Sequence, residues 1–336
     1  MKAPFPYFGG KATVASQVWA ALGQPKHYIE PFFGSGAVLL NRPMFDATQY
    51  IETVCDKDGF VTNVWRALQQ DPDEVARWCD WPVNHADLSA RKRRLIAEEA
   101  HLLEHLIADE AWYDAKLAGY WIWMASCWIG SGLTLLGQRP HIGNGGKGVH
   151  ALGQKPHVSH SGVGVHALGQ RPHVSHSGVG VQEPYNPNIY QWFRVLSERL
   201  RYVRVVCGDW TRVCGGNWQD NQGVCGIFFD PPYGVTDRDQ KIYHHESIEV
   251  SHEVRQWAIQ RGKKQSYRIV LAGYTDEHDE LADHGWVLHS WHAPGGYSST
   301  AKQDNTQGKV NRKREVLWYS PHCIRMAHHQ MELCAL

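Results

Sequence analysis

Short apolar runs bounded by glycine, proline or charged residues recur in both end regions of the chain and predict the strands of one sheet. Runs of this length between turn signals are typical of buried strands. Helix-compatible segments at 11–22, 189–200 and 252–261 alternate with them. Such alternation predicts an α/β fold with a doubly wound sheet, in which helices connect parallel strands. The seven predicted strands are residues 28–30, 50–55, 202–207, 227–230, 268–272, 286–291 and 315–319.

The middle of the chain interrupts this alternation with two segments of different composition. Residues 61–132 favour helix, because they include a stretch rich in Ala, Leu, Glu and Arg and then one dense in Trp and Tyr. Residues 133–180 repeat the motif Leu-Gly-Gln-Arg/Lys-Pro-His at an interval of 16 residues, which predicts short strands and turns. We therefore predict a domain from residues 1–60 and 190–322, an inserted region from 61–189 and a tail from 323–336.

Composition is that of a globular protein. The 336 residues are 43% hydrophobic and 20% charged, so the chain is long and apolar enough to bury a sizeable core. Its beginning has no apolar signal segment, and its longest apolar stretch, residues 120–129, is too short to span a bilayer. Eight cysteines without a Cys-x-x-Cys pair favour reduced thiols. These features predict a cytoplasmic location and no membrane partner.

The motif Asp230, Pro231, Pro232 and Tyr233 directly follows the apolar run 225–229. At the end of a buried strand it indicates methylation of an amino group on a nucleobase. Such an amine is a poor nucleophile, and the Asp230 carboxylate and the Pro231 carbonyl could accept its two N–H bonds. The prolines stiffen the turn, and Tyr233 offers a face on which an extruded base can stack. The alternative is an ordinary turn at the end of a strand.

A second segment of interest is a strand that ends in Glu30 and runs into a turn containing Gly34 and Gly36. Glycines tolerate positive φ and let backbone approach a nucleotide-like ligand closely. Ahead of it lies Pro-Tyr-Phe-Gly-Gly-Lys at residues 6–11. Taken in this order with the motif at 230–233, these segments resemble the DNA adenine-N6 methyltransferases (Dam-like). The overall arrangement is closest in style to phage-encoded or prophage-encoded members.

This resemblance implies a Rossmann-like catalytic domain that binds S-adenosylmethionine, with an antiparallel last strand. It also implies that Asp56 holds the ribose hydroxyls of the cofactor, and that Asp209 lies near the adenine ring with Trp210 as a stacking wall. The full set of cofactor-binding residues implied in this way is Tyr7, Lys11, Glu30, Phe32, Gly34, Gly36, Asp56, Asp209, Trp210 and Asp230.

The resemblance places target recognition in the inserted region, so we expect the repeats to contact DNA. Side chains suited to base edges or phosphates recur at equivalent places in the three copies. They are Gln138, Arg139, Gln154, Lys155, Gln170 and Arg171. The alternative is a loop grown by tandem duplication that has no role of its own. The family members that read GATC carry an Asn-rich hairpin where this chain has Cys-Trp-Ile-Gly-Ser-Gly at 127–132, so GATC recognition is not supported.

Charge and histidine content add two expectations. The formal net charge is zero, yet basic residues cluster at 91–94, 199–204, 261–264 and 309–314, so we expect at least one cluster to contact phosphates. Histidine pairs such as His157 and His160 raise a zinc site as an alternative. Structural zinc sites usually include cysteines, which are absent there, so we expect no metal.

The function predicted from these residues is a site-specific or relaxed-specificity DNA methyltransferase. It would transfer a methyl group from S-adenosylmethionine to N6 of a flipped-out adenine. The alternatives are methylation of cytosine N4 or of an RNA base, and a non-catalytic DNA-binding protein that kept the fold. Double-stranded DNA is the expected partner. A cognate restriction endonuclease in a restriction-modification system is a candidate partner, in a bacterial or phage-infected cell. The DNA sequence read and the oligomeric state stay open.

Overall fold

The computed structural model of the chain describes residues 1–5, 7, 10–82, 84–127, 189–217, 220, 223–232, 244–291 and 315–324. The strands in this part of the chain are β1 (His27–Glu30), β2 (Ile51–Asp56), β3 (Val203–Cys207), β4 (Cys225–Phe229), β5 (Tyr267–Tyr274), β6 (Val287–Ser290) and β7 (Glu315–Tyr319). The α-helices are α1 (Ala15–Leu22), α2 (Ala37–Leu40), α3 (Gly59–Gln70), α4 (Pro72–Cys79), α5 (His85–Ala108), α6 (Ala115–Cys127), α7 (Ile189–Leu200), α8 (Thr211–Cys214) and α9 (His244–Gly262), and a 3-10 helix spans Asp279–His284.

The strands form one seven-stranded sheet in the order β3-β2-β1-β4-β5-β7-β6. β1 pairs in parallel with both β2 and β4, and β4 pairs in parallel with β5. β7 is antiparallel to β5 and to β6. The predicted α/β class, the seven strands and the antiparallel last strand are therefore confirmed. From β1 the chain adds β2 on one side and, later, β4 on the other, so the strand order reverses at β1. Ligands of open α/β sheets bind at such a reversal of strand order.

Local sequence explains where the main elements begin and end. All five residues of β4 are buried, as expected of an apolar run between turn signals. α3 begins after Asp58, whose carboxylate accepts hydrogen bonds from the backbone N–H groups of Phe60 and Val61. This side chain satisfies two of the donors that a helix N-terminus leaves open.

The described residues form two compact units. The first comprises Met1–Gly10, Gly34–Leu40 and Asp56–Asp209, and the second comprises Lys11–Phe33, Asn41–Cys55 and Trp210–Leu336. Helices α3 to α7 belong to the first unit, and six of the strands, counting β2 up to its last residue, belong to the second. The domain boundaries predicted from the sequence stay predictions.

Within the first unit, Arg66 of α3 fixes the loop between α5 and α6. Its buried guanidinium donates to the carbonyl oxygens of Leu106 at 3.1 Å, Asp109 at 2.8 Å and Trp112 at 3.3 Å. Nε of Arg66 donates a further hydrogen bond of 3.2 Å to the carbonyl of Val205 in β3. One arginine thus satisfies three carbonyl groups at the end of α5 and in the loop after it.

Among the helices that the structure describes, none has the length and apolar character needed to cross a membrane.

Candidate active site

Lys11 and Asp230 form an ion pair at the carboxyl end of β4. The ammonium Nζ of Lys11 lies 3.0 Å from Oδ2 of Asp230. Lys11 is 4% exposed, whereas Asp230 is partly open to solvent. A charge held in a buried position is screened less than one on the surface. The pair therefore fixes the orientation of the carboxylate that begins the Asp-Pro-Pro-Tyr motif.

Glu30 ends β1, the strand next to β4, and is buried. The hydroxyl of Tyr28 donates a hydrogen bond of 2.9 Å to Oε2 of Glu30. Residues two apart on a strand project to the same face, so these two side chains meet directly. Burial first, and then the charge of Glu30, raise the pKa of Tyr28 well above its ordinary value. The phenol therefore remains a donor across the physiological range.

An aromatic cluster surrounds the end of β4 in the second unit. The ring of Phe229 lies 6.0 Å from that of Trp210, 5.6 Å from that of Trp257 and 6.3 Å from that of Phe32, measured between centroids. The contacts of Phe229 with Trp210 and Trp257 are edge-on, an arrangement that aromatic pairs prefer over face-to-face packing. Trp210 is 5% exposed. The cluster gives the motif that follows Phe229 a rigid apolar support.

The glycine turn lies in the first unit. Gly34 has φ 46° and Gly36 has φ 63°, a left-handed conformation that side chains other than glycine rarely adopt. A Cβ at Gly34 would lie 2.7 Å from Cε1 of Tyr7, so the Tyr7 ring rests directly on the turn. The carbonyl of Gly34 accepts a 2.8 Å hydrogen bond from the indole N–H of Trp65 in α3. The turn is buried, and these contacts fix its shape.

Asp56, the last residue of β2, is tied to the same turn. Its Oδ2 accepts from the backbone N–H of Gly34 at 2.7 Å, and its Oδ1 accepts from that of Asp58 at 2.9 Å. Its own carbonyl accepts from the N–H of Gly208 at 2.9 Å, which brings the residue before Asp209 to the end of β2. Burial, followed by the charge of Asp58, raises the pKa of Asp56 to about 7, against the lowering effect of the backbone hydrogen bonds.

The family model for the D12 class N6 adenine-specific DNA methyltransferase matches residues 7–106. Members of this family are adenine-specific DNA methyltransferases. The match confirms the resemblance and the enzyme class predicted from the sequence. It covers Tyr7, Lys11, Glu30, the glycine turn and Asp56, and it ends before Asp230. No curated protein matches the chain.

The remaining residues predicted for a methyltransferase site divide into described and undescribed ones. Pro231 is buried and Pro232 is exposed, directly after Asp230. Tyr233 lies outside the described residues. The same holds for the predicted DNA contacts Gln138, Arg139, Gln154, Lys155, Gln170 and Arg171 and for the histidine pairs of the repeats. In the described part of the chain, no group of three or more His, Cys, Asp or Glu side chains could hold a metal ion.

Several side chains of the basic clusters serve internal contacts. The Arg91 guanidinium lies 4.3 Å from the Tyr120 ring and 4.4 Å from the Trp123 ring, and donates to the carbonyl of Trp78. Such cation–π packing holds α5 against α6. In the cluster at 261–264, the side chains of Arg261 and Lys264 both pair with Asp220. Arg91, Arg261 and Lys264 thus make contacts within the protein, and the expectation that at least one basic cluster contacts phosphates stays a prediction.

Sequence reasoning missed three residues that contact the predicted site residues of their own unit. Tyr28 is the hydrogen-bond partner of Glu30, Trp65 binds the carbonyl of Gly34, and Asp58 donates its N–H to Asp56. The two-residue spacing of Tyr28 and Glu30 on a strand was a usable signal. Trp65 carried no comparable signal, because its contact joins segments that are distant in sequence.

Asp56 leads to a testable pH dependence. With a pKa of about 7, the folded protein holds Asp56 mostly protonated at about pH 6 and mostly ionised at about pH 8. If its carboxylate accepts the ribose hydroxyls of S-adenosylmethionine, calorimetry should show cofactor affinity rising across that interval. Asp56→Asn should weaken binding roughly 10- to 150-fold, as expected for a hydrogen bond to a charged group, and should flatten the profile. An unchanged affinity in Asp56→Asn would reject the role.

The same group affects stability with the opposite sign. The pKa of Asp56 is raised from 3.8, so the folded state binds its proton more tightly than the unfolded state does. The contribution of Asp56 to stability is therefore complete below about pH 4 and is lost as pH rises through about 7. Between about pH 6 and pH 7, cofactor affinity should therefore rise while the contribution of Asp56 to stability falls.

Proposed function

We propose that this protein transfers a methyl group from S-adenosylmethionine to the N6 amino group of an adenine extruded from double-stranded DNA. The observation that carries the proposal is the Lys11–Asp230 ion pair, which holds the first residue of the Asp-Pro-Pro-Tyr motif beside a buried positive charge. The family match supports DNA adenine methylation in general. Use of this cofactor, base extrusion and the assignment of individual residues are our inferences.

The target amine needs activation, because its lone pair is drawn into the adenine ring. In our proposal the Asp230 carboxylate accepts one N–H of the amine, and the carbonyl of Pro231 accepts the other. These acceptors localise the lone pair on N6, where positive charge develops in the transition state. S-Adenosylmethionine supplies an electrophilic methyl group on a sulfonium. As N6 bonds to the methyl carbon, the electron pair of the broken carbon–sulfur bond stays on sulfur, and the proton lost from N6 passes through Asp230 to water.

Lys11 has a distinct role in this scheme. Its buried ammonium lies 3.0 Å from Oδ2 of Asp230 and keeps that oxygen pointed toward itself. Oδ1 is then the oxygen available to the amine. The two prolines restrict the backbone on which the Pro231 carbonyl is carried. We assign to Tyr233, the next residue along the chain, the face on which the extruded base stacks.

The chemistry of the described residues fits S-adenosylmethionine. The Glu30 carboxylate, at the end of β1, suits the methionine ammonium. The Asp56 carboxylate, at the end of β2, suits the ribose hydroxyls. The left-handed turn at Gly34 and Gly36 offers backbone that a ligand can approach closely. Phe32 lines the methionine side. In our proposal Asp209 and Trp210, which follow β3, bind the adenine end of the cofactor.

The proposal is tested by incubating the purified protein with S-adenosylmethionine and unmethylated duplex DNA, then digesting the DNA to nucleosides. We expect N6-methyladenine in the digest. N4-methylcytosine would indicate the same chemistry on another amino group, and a parallel RNA substrate tests the RNA alternative. A protein that binds DNA and cofactor but methylates neither nucleic acid would contradict the proposal.

The repeats permit a separate prediction about DNA binding. Arg139, Lys155 and Arg171 occupy equivalent places in the three copies, outside the described residues. If they neutralise phosphates, replacing all three with alanine should reduce the salt slope of DNA binding by ~0.9 for each phosphate that is no longer neutralised. Fluorescence anisotropy at several salt concentrations measures that slope. Cofactor affinity should not change.

A matched control uses the neighbouring glutamines. Replacing Gln138, Gln154 and Gln170 with alanine removes no charge, so the salt slope should stay the same. If the glutamines read base edges, this variant should instead bind particular sequences more weakly, by ~1–3 kcal/mol for each bidentate pair removed. If both triple variants bind and methylate every DNA as the parent does, the repeats have no part in recognition.

A further inference from the structure

Tyr28 is a hydrogen-bond partner of Glu30 on the same strand. Its side chain is fully buried, and its hydroxyl donates a 2.9 Å hydrogen bond to Oε2 of Glu30. Both residues lie on β1, which pairs with β2 on one side and with β4 on the other. The backbone that carries the pair is therefore rigid.

The phenol ring is itself held in place. The Trp19 ring of α1 lies 4.6 Å from the Tyr28 ring, measured between centroids, and Trp19 is buried. The charges of Glu30, Glu52 and Arg42 all act on the Tyr28 hydroxyl, with Arg42 opposing the two glutamates. Because burial and the glutamates oppose ionisation, the phenol keeps its proton. Tyr28 thus combines a fixed ring with a permanent donor.

We infer that Tyr28 is a positioning residue for cofactor binding, which fixes the Glu30 carboxylate in the orientation that receives the methionine ammonium of S-adenosylmethionine. The inference rests on the proposed function, which assigns that contact to Glu30. The terminal torsion of a glutamate side chain is broad, so a carboxylate turns easily unless a partner holds it. Because the Tyr28 hydroxyl holds Oε2, Oε1 is the oxygen that we assign to the methionine ammonium. Tyr28 acts through Glu30 and is not a catalytic residue.

Removing the hydroxyl alone tests this role. Tyr28→Phe retains the ring and its packing on Trp19, so it leaves no large cavity. We expect affinity for S-adenosylmethionine to fall about tenfold, the size typical when a hydrogen bond to a charged group is removed. The turnover number at saturating cofactor should not change, because the contacts that Asp230 makes with the target amine are untouched. Calorimetry gives the affinity, and initial rates give the split between KM and kcat.

The chain offers a matched control at the amino end of the same sheet. Tyr267 begins β5, is fully buried, and donates a 2.6 Å hydrogen bond to Oδ1 of Asp220. Tyr267→Phe therefore deletes the same kind of hydrogen bond from a tyrosine to a carboxylate. It should lower thermal stability without changing KM or kcat. Equal increases in KM for Tyr28→Phe and Tyr267→Phe would indicate a general loss of structure and would overturn the inference.

Glu30→Gln separates failure of this inference from failure of the proposed function. If Glu30→Gln weakens cofactor binding and Tyr28→Phe does not, the positioning role is wrong and the proposed contact of Glu30 stands. If Glu30→Gln leaves affinity unchanged in a folded protein, the proposed contact is wrong and the role of Tyr28 fails with it. Support for the inference requires weaker binding in both variants and a smaller effect of Tyr28→Phe when Glu30 is already glutamine.

Discussion

Asp230→Asn is expected to lower the turnover number for methyl transfer by ~10²–10³, the loss typical when one preorganised electrostatic contact to a transition state is removed. Asparagine keeps the size of the side chain but carries no negative charge. It can neither stabilise the positive charge that develops on N6 nor receive its proton. Affinity for S-adenosylmethionine should remain that of the parent protein, because Asp230 acts on the target amine in our proposal. Single-turnover kinetics at saturating cofactor and DNA measure the effect.

The control for this variant is another carboxylate that pairs with a lysine. Asp220 lies 2.7 Å from Nζ of Lys264 and belongs to the same unit as Asp230. Asp220→Asn should reduce stability but leave the turnover number unchanged. Near-parental turnover in Asp230→Asn at full cofactor occupancy would disprove the assignment. Lys11→Met removes the other partner of the ion pair and should also lower the turnover number. That decrease should be smaller when Asp230 is already asparagine, because contacting residues are coupled.

Much of the sheet was predictable because its strands are local in sequence. β4 and β7 each contain a short apolar run, and β7 has the bounds that its run predicts. α1 shows where local reasoning reaches its limit. The sequence predicts a helix from residue 11, yet the helix begins at Ala15 after a turn in which the Val14 N–H binds the carbonyl of Lys11. Tertiary pairing of Lys11 with Asp230 accompanies this turn, and no local pattern encodes it.

The site shows the same division between local and distant information. Gly34, Gly36 and the acid that ends β2 were predictable from turn chemistry and strand ends. The packing of the Tyr7 ring on Gly34 and the hydrogen bond from Trp65 join separate segments, so only the fold reveals them. Basic clusters are an ambiguous sign of DNA contact for a related reason. A guanidinium that stacks on aromatic rings inside a helical unit has the same sequence signature as one that faces DNA.

Glu52→Ala is expected to destabilise the protein by about 3–5 kcal/mol, because it leaves the Arg42 charge buried without this partner. Nη1 of Arg42 lies 3.2 Å from Oε1 of Glu52, and both side chains are fully buried. The guanidinium also lies 4.4 Å from the Tyr50 ring and 5.0 Å from the Trp19 ring and donates to the carbonyl of Pro25. It thus joins the turn after α2 to the beginnings of β1 and β2. Urea unfolding measures the change.

Two comparisons decide whether burial of the charge is the cause. Arg42→Met combined with Glu52→Leu removes both charges and should recover most of the stability that Glu52→Ala removes, since buried ion pairs often contribute little beyond an apolar pair. Asp73→Ala breaks the exposed pair with Arg194 and should cost far less, because water solvates the remaining charge. If Glu52→Ala and Asp73→Ala unfold at the same urea concentration, the buried pair does not stabilise the sheet. The folded fraction of Glu52→Ala should keep the parental turnover number, because this ion pair lies at the amino ends of β1 and β2, away from Asp230.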